Sequence, residues 1–241
     1  LTHGLIEGNE ADDDGAGFYL YETQATIIAA SEIAANEAGD NGGGLHARRA
    51  ALSIVNGLFV GNHAADRGSG LFLADSPVRL WHNTLVRNTG GAGLYVAGES
   101  SPVLTNTILT SHTVAVEVST GSTATLEATL WGGGDWANGQ DWVGNVVTGT
   151  HNAWGDPRFA NAALDDYHLR AGSPAVDAGL QTAVTEDAEG DARPRGEAPD
   201  LGADESICLA HTGSVTSPSI QQAIDAAVSG AVVRVAGGLC Y

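Results

Sequence analysis

The side chains through which this sequence could do chemistry are eight histidines and 29 acidic residues. His3, His46, His63, His82, His112, His151, His168 and His211 are scattered. They contain no HExxH pair or other close ligand spacing, so a catalytic zinc is not expected. There is no GxSxG elbow and no phosphate-binding loop. Asp12-Asp13-Asp14, or Asp187 and Asp191 with Asp200, could give hard oxygen ligands to a structural calcium. Neither run matches an EF-hand loop or the nonapeptide calcium repeat, and no other cofactor is expected. Solvated turn positions are the favoured explanation of these aspartates.

Composition narrows the field further. Acidic residues outnumber the ten basic ones, all of them Arg, and the formal charge is −19. Polyphosphate recognition wants clustered Lys and Arg, so a nucleic-acid partner is not expected. No apolar run approaches the roughly 18 residues a membrane span needs. Glycine is abundant, at 33 of 241 residues. The chain starts at Leu1 without Met, basic n-region or apolar h-region, and is read as a processed product or a segment of something longer. Cys208 and Cys240 are read as a disulfide, two buried thiols being the alternative.

Positioning elements emerge from a repeat. An apolar-x-x-Asn unit recurs at Ile6–Asn9, Ile33–Asn36, Phe59–Asn62 and Leu85–Asn88, with a weaker copy at Ile108–Ser111. A Gly-rich step and a short apolar strand follow each copy. Phe18, Leu45, Leu71, Leu94 and Val116 form one inward row, and Ile28, Ile54, Leu80, Val103 and Leu126 another. Three short strands per roughly 22–27 residues, with period-2 alternation and no helical stripe, describe a coil of a parallel β-helix. Asn9, Asn36, Asn62 and Asn88 would then form a ladder, asparagine being suited to the left-handed bends of such corners.

The same register turns Tyr19, His46, Phe72 and Tyr95 outward on successive coils. Such an apolar stripe is a candidate interface for sugars or another chain, unless the chain's own loops cover it. No outward column stacks two acids.

The repeats over 1–130 resemble those of right-handed parallel β-helix surface proteins, with Phe59–Asn62 and Gly42–Leu45 similar to motifs of the polymorphic outer membrane proteins. Asp156-Pro157-Arg158-Phe159, Asp166–Leu169, Gly172–Gly179, Asp191–Pro194 and Asp200–Glu205 resemble the choice-of-anchor Q region. That resemblance implies a secreted or cell-surface protein and names no reaction. Within 131–205, residues 131–150 read as an irregular last coil whose indoles cover the stack.

Residues 206–241 are similar to the N-terminal cap of a β-helix, with a helix opening at Ser217-Pro218, stopped by Gly230 and followed by a strand at 231–236. Either the segment is one period of a tandem array, or this cap docks on a neighbouring solenoid and builds a filament. The sequence therefore points to a non-enzymatic surface solenoid, a spacer, adhesin or filament unit that self-associates through its ends and meets glycans or other cell-surface components. The rival is a carbohydrate-active β-helix enzyme, since pectate-lyase-like and polygalacturonase-like proteins share the architecture.

Overall fold

A computed structural model describes residues 1–206, 210–212, 215–217, 224–225, 228 and 233–235. The chain winds as an all-β parallel solenoid of about six turns with almost no helix. Three parallel sheets make its walls. The longest carries Leu5–Glu7, Thr26–Ala34, Leu52–Val60, Val78–Trp81 with Thr84–Val86, Val103–Thr110, Ala124–Gly132, and Val146–Thr148 with Ala153–Gly155. A second holds Phe18–Tyr21, Leu45–Arg48, Leu71–Ala74, Leu94–Ala97, Val114–Val118 and Gln140–Val143. The third is narrow, with two-residue strands from Glu10–Ala11 to Thr89–Gly90.

Alternation explains the walls. Inward residues stack in register along the axis: Phe18, Leu45, Leu71, Leu94 and Val116 form one buried row. The row begun by Ile28, Ile54 and Leu80 continues through Leu104, not Val103, to Leu126. Val103 faces out. The expectation stepped 23 residues from Leu80, whereas the coil runs 24, so the row passes through the next residue. By the same shift Leu109, not Ile108, stacks on Leu85.

Corners are made by left-handed residues in columns. Gly8, Ala35, Gly61, Arg87 and Ser111 all have φ between 51° and 65°. Each directly precedes a ladder residue, so the bend belongs to the neighbour and the asparagines themselves keep ordinary backbone. A second column, Ala30, Asn56, His82, Asn106 and Ala128, bends the long strands in their middle, with φ between 46° and 56°. Left-handed backbone costs a non-glycine residue roughly 1–2 kcal/mol, which the repeated cross-coil hydrogen bonds offset.

Beyond Gly155 the chain leaves the solenoid. An antiparallel hairpin, Phe159–Asn161 with Asp166–Leu169, and the irregular stretch to Ser206 fold back along the outer face of the long sheet. They bury Phe159, Tyr167, Leu169, Ala175 and Leu201 against Ala34, Val60, Val86, Ile108 and Leu130. A second hydrophobic core thus lies outside the first, under a clamp formed by 156–206. Trp131 is fully buried inside the solenoid, not at its end. Trp142 meets it in a tilted pair at 5.3 Å, and Trp154 is paired in register with Trp131, so these two indoles lie on the last coil.

In the last segment Ala210–Thr212 pairs antiparallel with Val215–Ser217 and Val233–Val235. Residues 224–225 are helical. The cysteine pair and most of the expected cap helix lie outside the described residues. No helix among the described residues is long and apolar enough to cross a membrane.

Candidate functional site

Inside the coils the amide ladder is a chain of bidentate contacts. Asn9 donates from N and Nδ2 to Asn36 Oδ1 (3.1 and 2.8 Å), Asn36 to Asn62 Oδ1 (3.1 and 2.9 Å), and Asn62 to Asn88 Oδ1 (3.0 and 2.9 Å). The Nδ2 groups of Asn36, Asn62 and Asn88 also reach a carbonyl of the preceding coil, as Asn62 does to Ile33 O at 2.8 Å. Asn36, Asn62 and Asn88 are completely buried, and this arrangement uses their donors and acceptors almost fully.

The fifth rung is His112, not Ser111. Asn88 Nδ2 lies 3.2 Å from His112 Nε2, and His112 Nδ1 lies 3.3 Å from Asn138 Oδ1. An amide NH2 only donates, so Nε2 must accept and Nδ1 must carry the proton. Burial pushes the His112 pKa down to about 4, consistent with a neutral ring.

On the second sheet the four outward rings stack. Centroids are 5.0 Å apart for Tyr19–His46, 4.5 Å for His46–Phe72 and 5.4 Å for Phe72–Tyr95. They do not form one open stripe. Tyr19 is 53% exposed, whereas His46 and Tyr95 are only 4% and 6% exposed. The loops before each strand lie over them. Gly42, with φ +70°, runs so close that a Cβ there would meet His46 Cβ at 2.7 Å, which is why glycine stands in this turn. Arg67 lies 5.1 Å above the Tyr95 ring. Asp14 comes within 3.4 Å of His46 Nδ1 but lacks hydrogen-bond geometry to it. The accessible part of the column is therefore Tyr19 and the edge of Phe72.

The aspartates considered for calcium have other employment. Asp14 Oδ1 accepts from the backbone N–H and from Nδ2 of Asn41 (3.1 and 2.9 Å), while Asp12 and Asp13 stay in solvent. Asp187 accepts the backbone N–H groups of Glu189, Asp191 and Glu205. Asp200 accepts those of Asp177 and Ser206, both at 2.7 Å. Asp191 pairs with Arg195. Asp187, Asp191 and Asp200 close turns of the clamp through these bonds. At its centre Arg193 is fully buried against Glu205 (2.9 Å) and also donates to the backbone of Asp200 and Gly202.

A different constellation appears where the clamp meets the solenoid. Glu32, from the long sheet, lines a cleft of about 140 Å³ together with Asp165, Tyr167, His168, Glu189 and Asp204. Ligand atoms of His168, Glu189 and Asp204 all lie within 4.8 Å of one another, the one such group among the described residues. His168 Nδ1 is 2.6 Å from Asp166 Oδ1, and its Nε2 is 3.7 Å from Glu189 Oε1. Burial raises Asp204 to about 7, and burial with the Asp187 charge raises Glu189. Burial also opposes a charged His168, but its bond to Asp166 and the charges of Asp204 and Glu189 hold its pKa above the ordinary value. Sequence spacing could not find this group, because its members come from a hairpin strand, a turn and the end of the clamp.

Stacked parallel coils, an internal amide ladder and a continuous aliphatic core define a parallel β-solenoid. The chain belongs to the right-handed beta helix family, whose model matches residues 2–130. No curated protein and no solved structure matches it.

Proposed function

We propose that this chain is a structural solenoid of a secreted or cell-surface protein, a rigid spacer with a modest adhesive surface, not an enzyme. The ladder running from Asn9 to Asn138 carries this reading. It joins each coil to the next through side-chain hydrogen bonds, bidentate from Asn9 to Asn88 and single from Asn88 to His112, a way of building length and stiffness. Two outward columns support it, Tyr19–His46–Phe72–Tyr95–Glu117 and Ala29–Val55–Trp81–Thr105–Glu127, which place no acids on successive coils; the narrow sheet departs from the sequence expectation, with Glu10 stacked on Glu37. The surface assignment rests on the resemblance of 151–205 to the choice-of-anchor Q region.

Leu5–Glu7, Glu10–Ala11 and Phe18–Tyr21 form the edge of all three sheets, with Leu1, Leu5, Tyr19 and Tyr21 exposed. Such an edge can pair with a further coil. End-to-end stacking of copies, with Tyr19 at the contact, is the assembly this reading favours. Negative-stain microscopy and light scattering across a concentration series test it. Linear particles are expected, and a monomer at all concentrations rejects stacking.

The gathering of Glu32, Asp165, Glu189 and Asp204 around one cleft favours a second reading, a carbohydrate-active enzyme. Its small volume stands against that, since ligand pockets commonly occupy roughly 300–1,000 Å³. Incubation with acidic polysaccharides, followed by product absorbance and reducing ends, separates the two. Turnover abolished by Asp204→Asn would replace the spacer reading with the enzymatic one.

A further inference from the structure

The geometry points to a structural site for a divalent transition ion of the zinc class, formed by His168 Nε2 and the carboxylates of Glu189 and Asp204. The three ligand atoms already lie within 4.8 Å of one another. One imidazole nitrogen with two carboxylate oxygens suits a borderline divalent cation better than calcium, which prefers oxygen throughout.

A second observation comes from outside the trio. Asp166 takes the Nδ1 proton of His168 at 2.6 Å, which fixes the ring and leaves Nε2 directed at Glu189, 3.7 Å away. A carboxylate orienting the far side of a ligand histidine is the outer-shell arrangement metal sites use. Asp204 is placed independently, its Oδ2 accepting the Leu169 N–H at 2.6 Å. Glu32 and Asp165, on the cleft wall, add negative potential without belonging to the ligand set. The ion would tie the 159–169 hairpin, the 187–191 turn and the 203–206 segment together, stapling the clamp to itself where it lies on the solenoid.

Titration calorimetry of the whole chain with Zn2+, and the visible spectrum of the Co2+ form, test the assignment. One equivalent is expected to bind and to raise Tm by several degrees at saturation. Glu189→Gln, at an exposed position, and His168→Ala should each abolish that binding while circular dichroism stays unchanged. Asp166→Asn should weaken it roughly 10–100-fold. No Zn2+ binding, or binding that survives both ligand substitutions, overturns the proposal. So does a site that takes Ca2+ equally well with His168 replaced.

Discussion

His82 Nδ1 stands 3.2 Å from the backbone oxygen of Asp200, joining two residues 118 positions apart. The ring's other nitrogen accepts from Asn106 Nδ2 at 2.9 Å, so Nδ1 is the donor to Asp200. Burial, helped by the Arg193 charge, lowers the His82 pKa to about 3 and keeps the ring neutral. His82, Asn56 and Asn106 occupy the same left-handed corner on successive coils. Asn56 Nδ2 reaches Glu186 O at 2.8 Å, and Asn106 exchanges bonds with both backbone groups of Leu180. The corner column is the rail on which the clamp sits.

Replacing His82 by Ala leaves the Asp200 carbonyl and the Asn106 amide short of partners in a buried site. A loss of about 1–3 kcal/mol is expected in urea unfolding, with the clamp opening first. Faster proteolysis within 180–206, and unchanged protection of 52–110 in hydrogen exchange, is the signature to look for.

His112 makes stability pH-dependent. Its folded pKa is about 4, against an ordinary 6.5 in the unfolded chain. Between these values the unfolded state takes up a proton that the folded state does not. Stability therefore falls as pH drops from about 6.5 to about 4, by on the order of 3 kcal/mol from this residue. His112→Asn would restore an amide rung and remove this part of the acid sensitivity, as denaturant midpoints of the two proteins across that pH range would show.

These rungs show how much of the molecule was legible in the sequence. Asn9, Asn36, Asn62 and Asn88 stand out because the amide recurs at nearly constant spacing, and spacing is what a regular coil imposes. His112 hid because the weak copy aligned on Ile108 puts the slot at Ser111, 23 residues from Asn88, whereas the coil takes 24. A different side chain there meets the same need for an acceptor. The clamp and the His168 cleft were not legible at all, since irregular backbone leaves no period and their contacts join residues far apart in the chain.

Asn62→Ala should be the most damaging ladder substitution. It orphans the backbone N–H of Asn36, takes one of the two acceptors of Asn36 Nδ2, and removes the donor to the Ile33 carbonyl in a buried setting. A loss of about 2–4 kcal/mol is expected from chemical denaturation, near the limit such a chain tolerates.

Arg193→Ala leaves Glu205 charged and buried. Breaking such a pair costs about 3–5 kcal/mol, whereas replacing both partners by apolar residues of similar volume is far milder. The expected result is a clamp that no longer docks in the single variant and partial recovery in Arg193→Met/Glu205→Leu, read from Trp136 fluorescence, since that indole packs against Phe159 at 5.1 Å.

On the second sheet, Phe72→Ala should destabilise more than Tyr19→Ala. Phe72 stacks between His46 and Tyr95, while Tyr19 touches one ring and is largely exposed. Thermal melts should rank them in that order, by about 1 kcal/mol or more.

A bare solenoid couples each turn only to its neighbours, so it can fray one turn at a time. Here a single strap is bonded to three successive turns at Asn56, His82 and Asn106, and again at Thr84 through the Ala203 N–H. Those turns must give way together or not at all. Under tension applied along its axis, the middle of the molecule would resist as one block and yield abruptly, rather than peel.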